Sequence, residues 1–169
     1  MNEFDDDDLF GGPQRDHVHQ ILQDLSPSSV AAPCWTCTES SLAVTYQTDS
    51  RRGVVLFKHL LAFRSTPLSV AELTRHPLFE RGLTDLGVYV IGDSSTLREA
   101  GRSWIGHPLP ASDVWNLRHY VVVFRGALLE CVAGSLEYGL VSPATSANEV
   151  LVSHLTHSNA GAPRKTKPC

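Results

Sequence analysis

The chain lacks any apolar run near the roughly 18–20 residues that a bilayer-crossing helix needs. Stretches such as Val54 to Phe57 are soon interrupted by a charge. It also lacks a basic segment followed by an apolar one at the start. The opening MNEFDDDD is acidic, so a secretory signal is not expected and a cytoplasmic protein is. Cysteine is scarce. Cys34, Cys37, Cys131 and Cys169 are too few to staple a chain of 169 residues, and free thiols are the expectation. No glycine-rich phosphate fingerprint, Gly-x-Ser-x-Gly elbow or His-Glu-x-x-His pair occurs, which removes the common nucleotide, hydrolase and metalloprotease signatures. A surplus of one charge is missing from the body as well. Glu3 and Asp5 to Asp8 make the start acidic, and Arg164, Lys165 and Lys167 make the end basic. Between residues 9 and 160 there remain 11 basic and 13 acidic residues, a near-neutral surface without a nucleic-acid footprint.

What is present is an ordinary globular composition. A hydrophobic fraction of 42% and this length suit one domain with a real core. The expected layout is a disordered acidic tail over 1–12, a single α+β domain over 13–157 and a disordered basic tail over 158–169. Pro13 opens a stretch in which Val18, Ile21, Leu22 and Leu25 fall on one helical face, closed by Ser26-Pro27, which predicts a helix. Residues 26–40 read as a loop. Leu42 to Thr48 alternates apolar and polar residues, a turn follows, and Val54 to Arg64 reads as the returning strand of a hairpin. Ser69 and Glu72 form a capping box before a short helix stopped at His76-Pro77. A strand is predicted over 86–91. Asp93-Ser94-Ser95 then caps a helix over 95–100, ended by Gly101.

The clearest element is a hairpin over 119–133. Tyr120, Val122 and Phe124 lie on one face of its first strand, Arg125-Gly126 makes the turn, and Leu129, Cys131 and Ala133 share a face of the return. A second capping box, Ser146 and Glu149, opens a last helix to about His157. The sum is an α+β fold, a mostly antiparallel sheet of about five strands with three or four short helices.

Three groups of residues bear on function. His119, Glu130 and Cys131 sit in the hairpin. A cysteine–histidine pair can activate a nucleophile and a carboxylate in a cleft can act as a base, provided that they share a face. Alternation alone accounts for them as well, with Glu130 paired to Arg64, Arg118 or Arg125. Cys34 and Cys37 have the spacing of a zinc or redox pair. With His154 and His157 they would complete four ligands, although the loop setting suits free thiols equally. Asp7, Asp8, Leu9 and Phe10, an acidic run ending in two large apolar residues, and Trp104 and Trp115 in an irregular stretch, have the chemistry of partner-binding anchors.

The strand 86–91, the helix after it and Leu117-Arg118-His119-Tyr120 leading into the hairpin resemble the order of elements in small bacterial α+β proteins, some of which neutralise toxins. That resemblance carries no specific motif and implies no family. The expectation is therefore a non-catalytic protein-interaction module, immunity-like or regulatory, without a cofactor. It would bind another protein through a sheet edge or the 101–116 loop, and neither nucleic acid nor membrane. A homo-oligomer is compatible with the sequence, and the alternatives are a small Cys/His/Glu enzyme and a small zinc protein.

Overall fold

The computed structural model describes residues 17–22, 32–48, 51–84, 86–98 and 116–160. Seven strands form one sheet, and every pairing in it is antiparallel. The strands are β1 (His17–Leu22), β2 (Cys34–Cys37), β3 (Ser41–Gln47), β4 (Arg52–Pro67), β5 (Gly87–Gly92), β6 (Arg118–Phe124) and β7 (Ala127–Val141). Their spatial order is β1-β5-β6-β7-β4-β3-β2. The helices are α1 (Val70–Leu73), a helical turn at 95–98, and α2 (Ala147–Ala160), with a 3-10 turn at Phe79–Arg81. Among the described residues, no helix is long and apolar enough to cross a membrane.

Both predicted hairpins form. β3 returns into β4 with Gln47 opposite Arg52, and β6 returns into β7 with Phe124 opposite Ala127 across Arg125-Gly126. Both capping boxes close reciprocally. The Ser69 N–H donates to Glu72 Oε2 (2.7 Å) and the Glu72 N–H to Ser69 Oγ (3.3 Å). Likewise the Ser146 N–H donates to Glu149 Oε2 (2.7 Å) and the Glu149 N–H to Ser146 Oγ (3.2 Å).

Two elements depart from expectation and raise the strand number from about five to seven. The helix expected from Pro13 is replaced over 17–22 by β1, which lies antiparallel on β5. The segment HVHQIL fits a strand as well as a helix. Pairing with β5 decides between them, turning Val18 onto the cluster around Tyr89 and Ile91. Within the supposed loop, Cys34–Cys37 is an added outer strand on β3. The long strands also run further than expected, β4 to Pro67 and β7 to Val141, eight residues past the predicted end at Ala133.

The inner face of the sheet closes on itself. Leu42, Val44, Tyr46, Val55 and Phe57 from β3 and β4 share one buried cluster with Val88, Tyr120, Val122, Phe124, Leu129 and Cys131 from β5 to β7. The Phe57 and Tyr120 rings lie 5.5 Å apart, and those of Tyr46 and Phe124 lie 5.8 Å apart. In a flat sheet neither pair could meet. Tyr46 stands beside Gly53 at one end of β4, while Phe124 connects through Ala127 to Pro67 at the other, about 45 Å away at roughly 3.3 Å per residue. The β4–β7 ribbon is therefore bent back on itself.

The bend lies at His59, whose φ of 53° is left-handed, opposite Gly134. β7 loses a step of alternation there, and β4 loses one that a register shift between Leu60 and Ala62 restores, so that Phe63 again lies on the inner side opposite Cys131. Phe57 and Leu60 both face inward, as do Ala133 and Leu136. The outer faces are covered separately. Leu73, Leu78 and Leu83 pack on Tyr89, Ile91, Val121, Val123 and Leu128, while Leu151 of α2 packs on Ala43 and Leu56.

Close packing at Gly53 gives a direct test. A Cβ there would lie 2.5 Å from Cε2 of the buried Tyr46 ring, whereas one at Gly126 meets nothing within 4 Å. Gly53→Ala is expected to lower stability by about 1–3 kcal/mol in urea unfolding, with Gly126→Ala changing it by less than about 1 kcal/mol.

Candidate functional site

The register of the central hairpin decides which of its polar residues meet. His119 is opposite Val132, Tyr120 opposite Cys131 and Val121 opposite Glu130. Directly opposed residues share a face. Cys131 and Tyr120 therefore face the inner core, and His119 and Glu130 face outward, toward the layer over Val121 and Val123. His119 and Glu130 come together and Cys131 does not join them, so the Cys/His/Glu cluster considered from the sequence does not assemble. Burial also pushes the Cys131 thiol well above its ordinary pKa, with the charge of Glu130 adding to the effect. A protonated, enclosed thiol is a packing group and a poor nucleophile.

What assembles instead is a chain of four side chains across four elements. Asp93 takes a left-handed conformation (φ 51°) at the end of β5, which aims Ser94 into the outer layer. Ser94 Oγ accepts the Leu97 N–H (3.2 Å), capping the helical turn, and lies 2.8 Å from His119 Nδ1. One hydrogen joins Ser94 Oγ and His119 Nδ1, its donor set by the imidazole tautomer, and the ring turns its other nitrogen, Nε2, toward Glu130. That nitrogen is 3.6 Å from Glu130 Oε1 and has no hydrogen-bond partner. Glu130 Oε2 accepts Arg64 Nε at 2.8 Å and is also bonded by Arg64 Nη2. Arg64 and Glu130 are directly opposed in β4 and β7, so the pair was readable as a cross-strand ion pair once that register is known.

Burial alone would raise the Glu130 carboxyl. The facing His119 and the Arg64 guanidinium outweigh it and hold the group at about 2. The carboxylate is ionised and occupied, which makes it a weak base. His119 and Ser94 are each only 2% exposed. Nearby, burial lowers His76, the charge of Glu130 partly opposing this, and its Nδ1 accepts the Leu78 N–H at 3.3 Å. The arrangement braces β4, β5, β6 and β7 against one another. Ser94 is the member that the sequence reading assigned only to capping.

The proposed metal ligands are spread apart. Cys34 opposes Thr45 and Cys37 opposes Leu42, so the two thiols point to opposite faces of β2. The side of Cys34 is the one that α2 covers, and His154 is half-buried on that helix. The side chain of His157 lies outside the described residues, as do Asp7, Asp8, Leu9, Phe10, Trp104, Trp115 and Cys169. Among the described residues, no group of three or more potential ligands could hold a metal ion.

A feature missed in the sequence is the outer half of β7. β6 pairs with β7 only from Ala127 to Ala133, and β4 holds the other side along the whole strand. Among the described residues, no strand pairs with the free side of 134–141. Every second residue there turns its N–H and C=O away from β4. Its inward row, Leu136, Tyr138 and Leu140, continues the core, yet Tyr138 is 58% and Leu140 45% exposed. The other free edges are less suited to pairing. The 62–67 edge of β4 carries Arg64, committed to Glu130, and ends at Pro67, β2 has only four residues, and β1 has six with a register shift between Gln20 and Leu22. Reading β7 as ending at Ala133 hid the row, although Leu136, Tyr138 and Leu140 alternate plainly.

Comparison with protein-family models, curated proteins and solved structures finds no match to this chain.

Two outcomes follow from the brace and from the thiols. Glu130 has a folded-state pKa of about 2, below its unfolded value near 4.5. Its contribution is therefore complete above the unfolded value and is lost as pH falls from about 4.5 toward 2. Urea titrations of the chain and of Glu130→Gln should converge over that window, the difference at neutral pH being on the order of 2 kcal/mol. A gap that persists at pH 2 contradicts the brace. In native conditions iodoacetamide should label Cys34 and Cys37, which are exposed, and spare Cys131, as read by peptide mass spectrometry.

Proposed function

We propose that this chain is a non-catalytic protein-interaction module that takes an extended segment of another polypeptide as an added strand along the 134–141 edge of β7. The observation that carries this reading is the exposed row of Tyr138 and Leu140 beside a strand edge that no described strand occupies. Strand addition uses main-chain hydrogen bonds for affinity and alternate side-chain positions for choice of partner. Here the alternate positions are apolar on one side, over Leu136, Tyr138 and Leu140. On the other they are small or polar, over Ser135, Glu137 and Gly139. The only charged residue along the edge, Glu137, is paired with Lys58. A suitable partner segment therefore alternates apolar and uncharged polar residues. The buried Ser94, His119 and Glu130, closed off by the exposed Arg64, and the protonated Cys131 favour this reading over an enzyme. A regulatory or immunity-like partner acting in the cytoplasm is the role that it implies.

Selection from a library of displayed ten-residue peptides tests the reading. Enriched sequences should alternate apolar and polar residues. Replacing both Tyr138 and Leu140 by serine should weaken their binding by about tenfold or more. Enriched peptides that bind the double variant as well as the parent chain would place the interaction elsewhere.

A further inference from the structure

The identity of the added strand can be taken one step further, on the footing of the edge reading above. We infer that the 134–141 edge pairs with the same edge of a second copy of this chain, antiparallel, about a two-fold axis through Tyr138.

A two-fold axis normal to a sheet leaves each residue on its own face. Facing residues must share a face, so the axis has to pass through a residue and not between two. Four positions along this edge overlap five residues or more, of which an axis at Leu136 overlaps only 134–138 and leaves Leu140 unpaired. An axis at Glu137 sets two carboxylates directly opposite each other, which is unfavourable. An axis at Gly139 overlaps only 137–141 and leaves Leu136 unpaired. An axis at Tyr138 overlaps 135–141 and matches every position. Tyr138 faces its own copy, Leu136 faces the partner's Leu140, Glu137 faces the partner's Gly139 and Ser135 faces the partner's Val141. No like charges meet, and Glu137 keeps its own cation, Lys58.

The rows behind the edge fit the same axis. Val44, Val55 and Tyr138 are directly paired in succession, as are Leu42, Phe57 and Leu136, and Tyr46, Gly53 and Leu140. Pairing at Tyr138 joins the first row to its own image and the second row to the third. The result is a sheet running unbroken from β3 through β4 and β7 into the partner's β7, β4 and β3, with its apolar face continuous. α2 lies on the other face, over Ala43 and Leu56, and does not obstruct the edge. The overlap is short against a standard interface of about 1,600 Å², so the dimer belongs in the micromolar range or weaker.

Sedimentation equilibrium of the full chain in reducing buffer, from about 5 to 500 µM, tests the inference. The expected result is a reversible dimer whose dissociation constant rises about a hundredfold or more in Tyr138→Glu, where two carboxylates meet at the axis. Register is read separately after replacing Cys34, Cys37 and Cys169 by serine. In that background Tyr138→Cys should form disulfide-linked dimers on mild oxidation, and Glu137→Cys should not. Both positions are exposed, so neither substitution threatens the fold. A chain that remains monomeric at 500 µM overturns the inference, as does a dimer indifferent to Tyr138→Glu or equal cross-linking by the two cysteine variants. A monomer that still takes alternating peptides at 134–141, seen as amide shifts confined to that edge, refutes self-pairing alone and leaves the edge reading standing.

Discussion

At His59 the β4 backbone passes through a left-handed conformation opposite Gly134, and the closure of the sheet depends on that pair. A left-handed turn costs a non-glycine residue about 1 kcal/mol or more. The return is far larger. The step lost in β7 lets both of its halves present apolar residues to the same interior, and the bend brings Phe57 onto Tyr120 and Tyr46 onto Phe124. Gly134 is the necessary counterpart, since a Cβ there would lie 3.0 Å from the His59 Cβ. Without the kink, strict alternation would turn one half of β7 inside out.

The same bend sets where polar groups and free edges fall. Because β4 and β7 are longer than their neighbours, each half of the ribbon is paired on one side, and among the described residues no strand pairs with the other. The half next to β6 carries the polar brace, in which one ionised carboxylate is held between an imidazole and a guanidinium. That brace ties β4 and the cap that follows β5 to the β6–β7 hairpin. The half next to β3 carries the apolar row that reaches its margin at Tyr138 and Leu140. The polar brace thus lies in one half of the ribbon and the exposed apolar row in the other, with the buried core shared by both.

Much of this was legible in the amino-acid order. The two hairpins announced themselves through alternation on either side of short polar turns, and both capping boxes through serine and glutamate three residues apart. The pairing of Glu130 with Arg64 was among the neighbours that alternation allows. What escaped is what long-range pairing decides. HVHQIL has apolar spacing compatible with two structures, and only the β5 edge selects the strand. CWTC has a metal-like spacing, but as a strand it sends its thiols apart. The outer half of β7 was obscured because Gly134 and Ser135 look like the end of a hairpin, when they are the corner of a longer strand. Ser94 could be seen as a cap, but its bond to His119 depends on β5 and β6 lying side by side.

The folded-over sheet is the claim on which the rest stands, and ring-to-ring nuclear Overhauser contacts test it most directly. The account predicts cross-peaks between the aromatic protons of Phe57 and Tyr120 and between those of Tyr46 and Phe124. Their absence, in a spectrum where the β4–β7 backbone contacts are all present, would show an unfolded ribbon and contradict it.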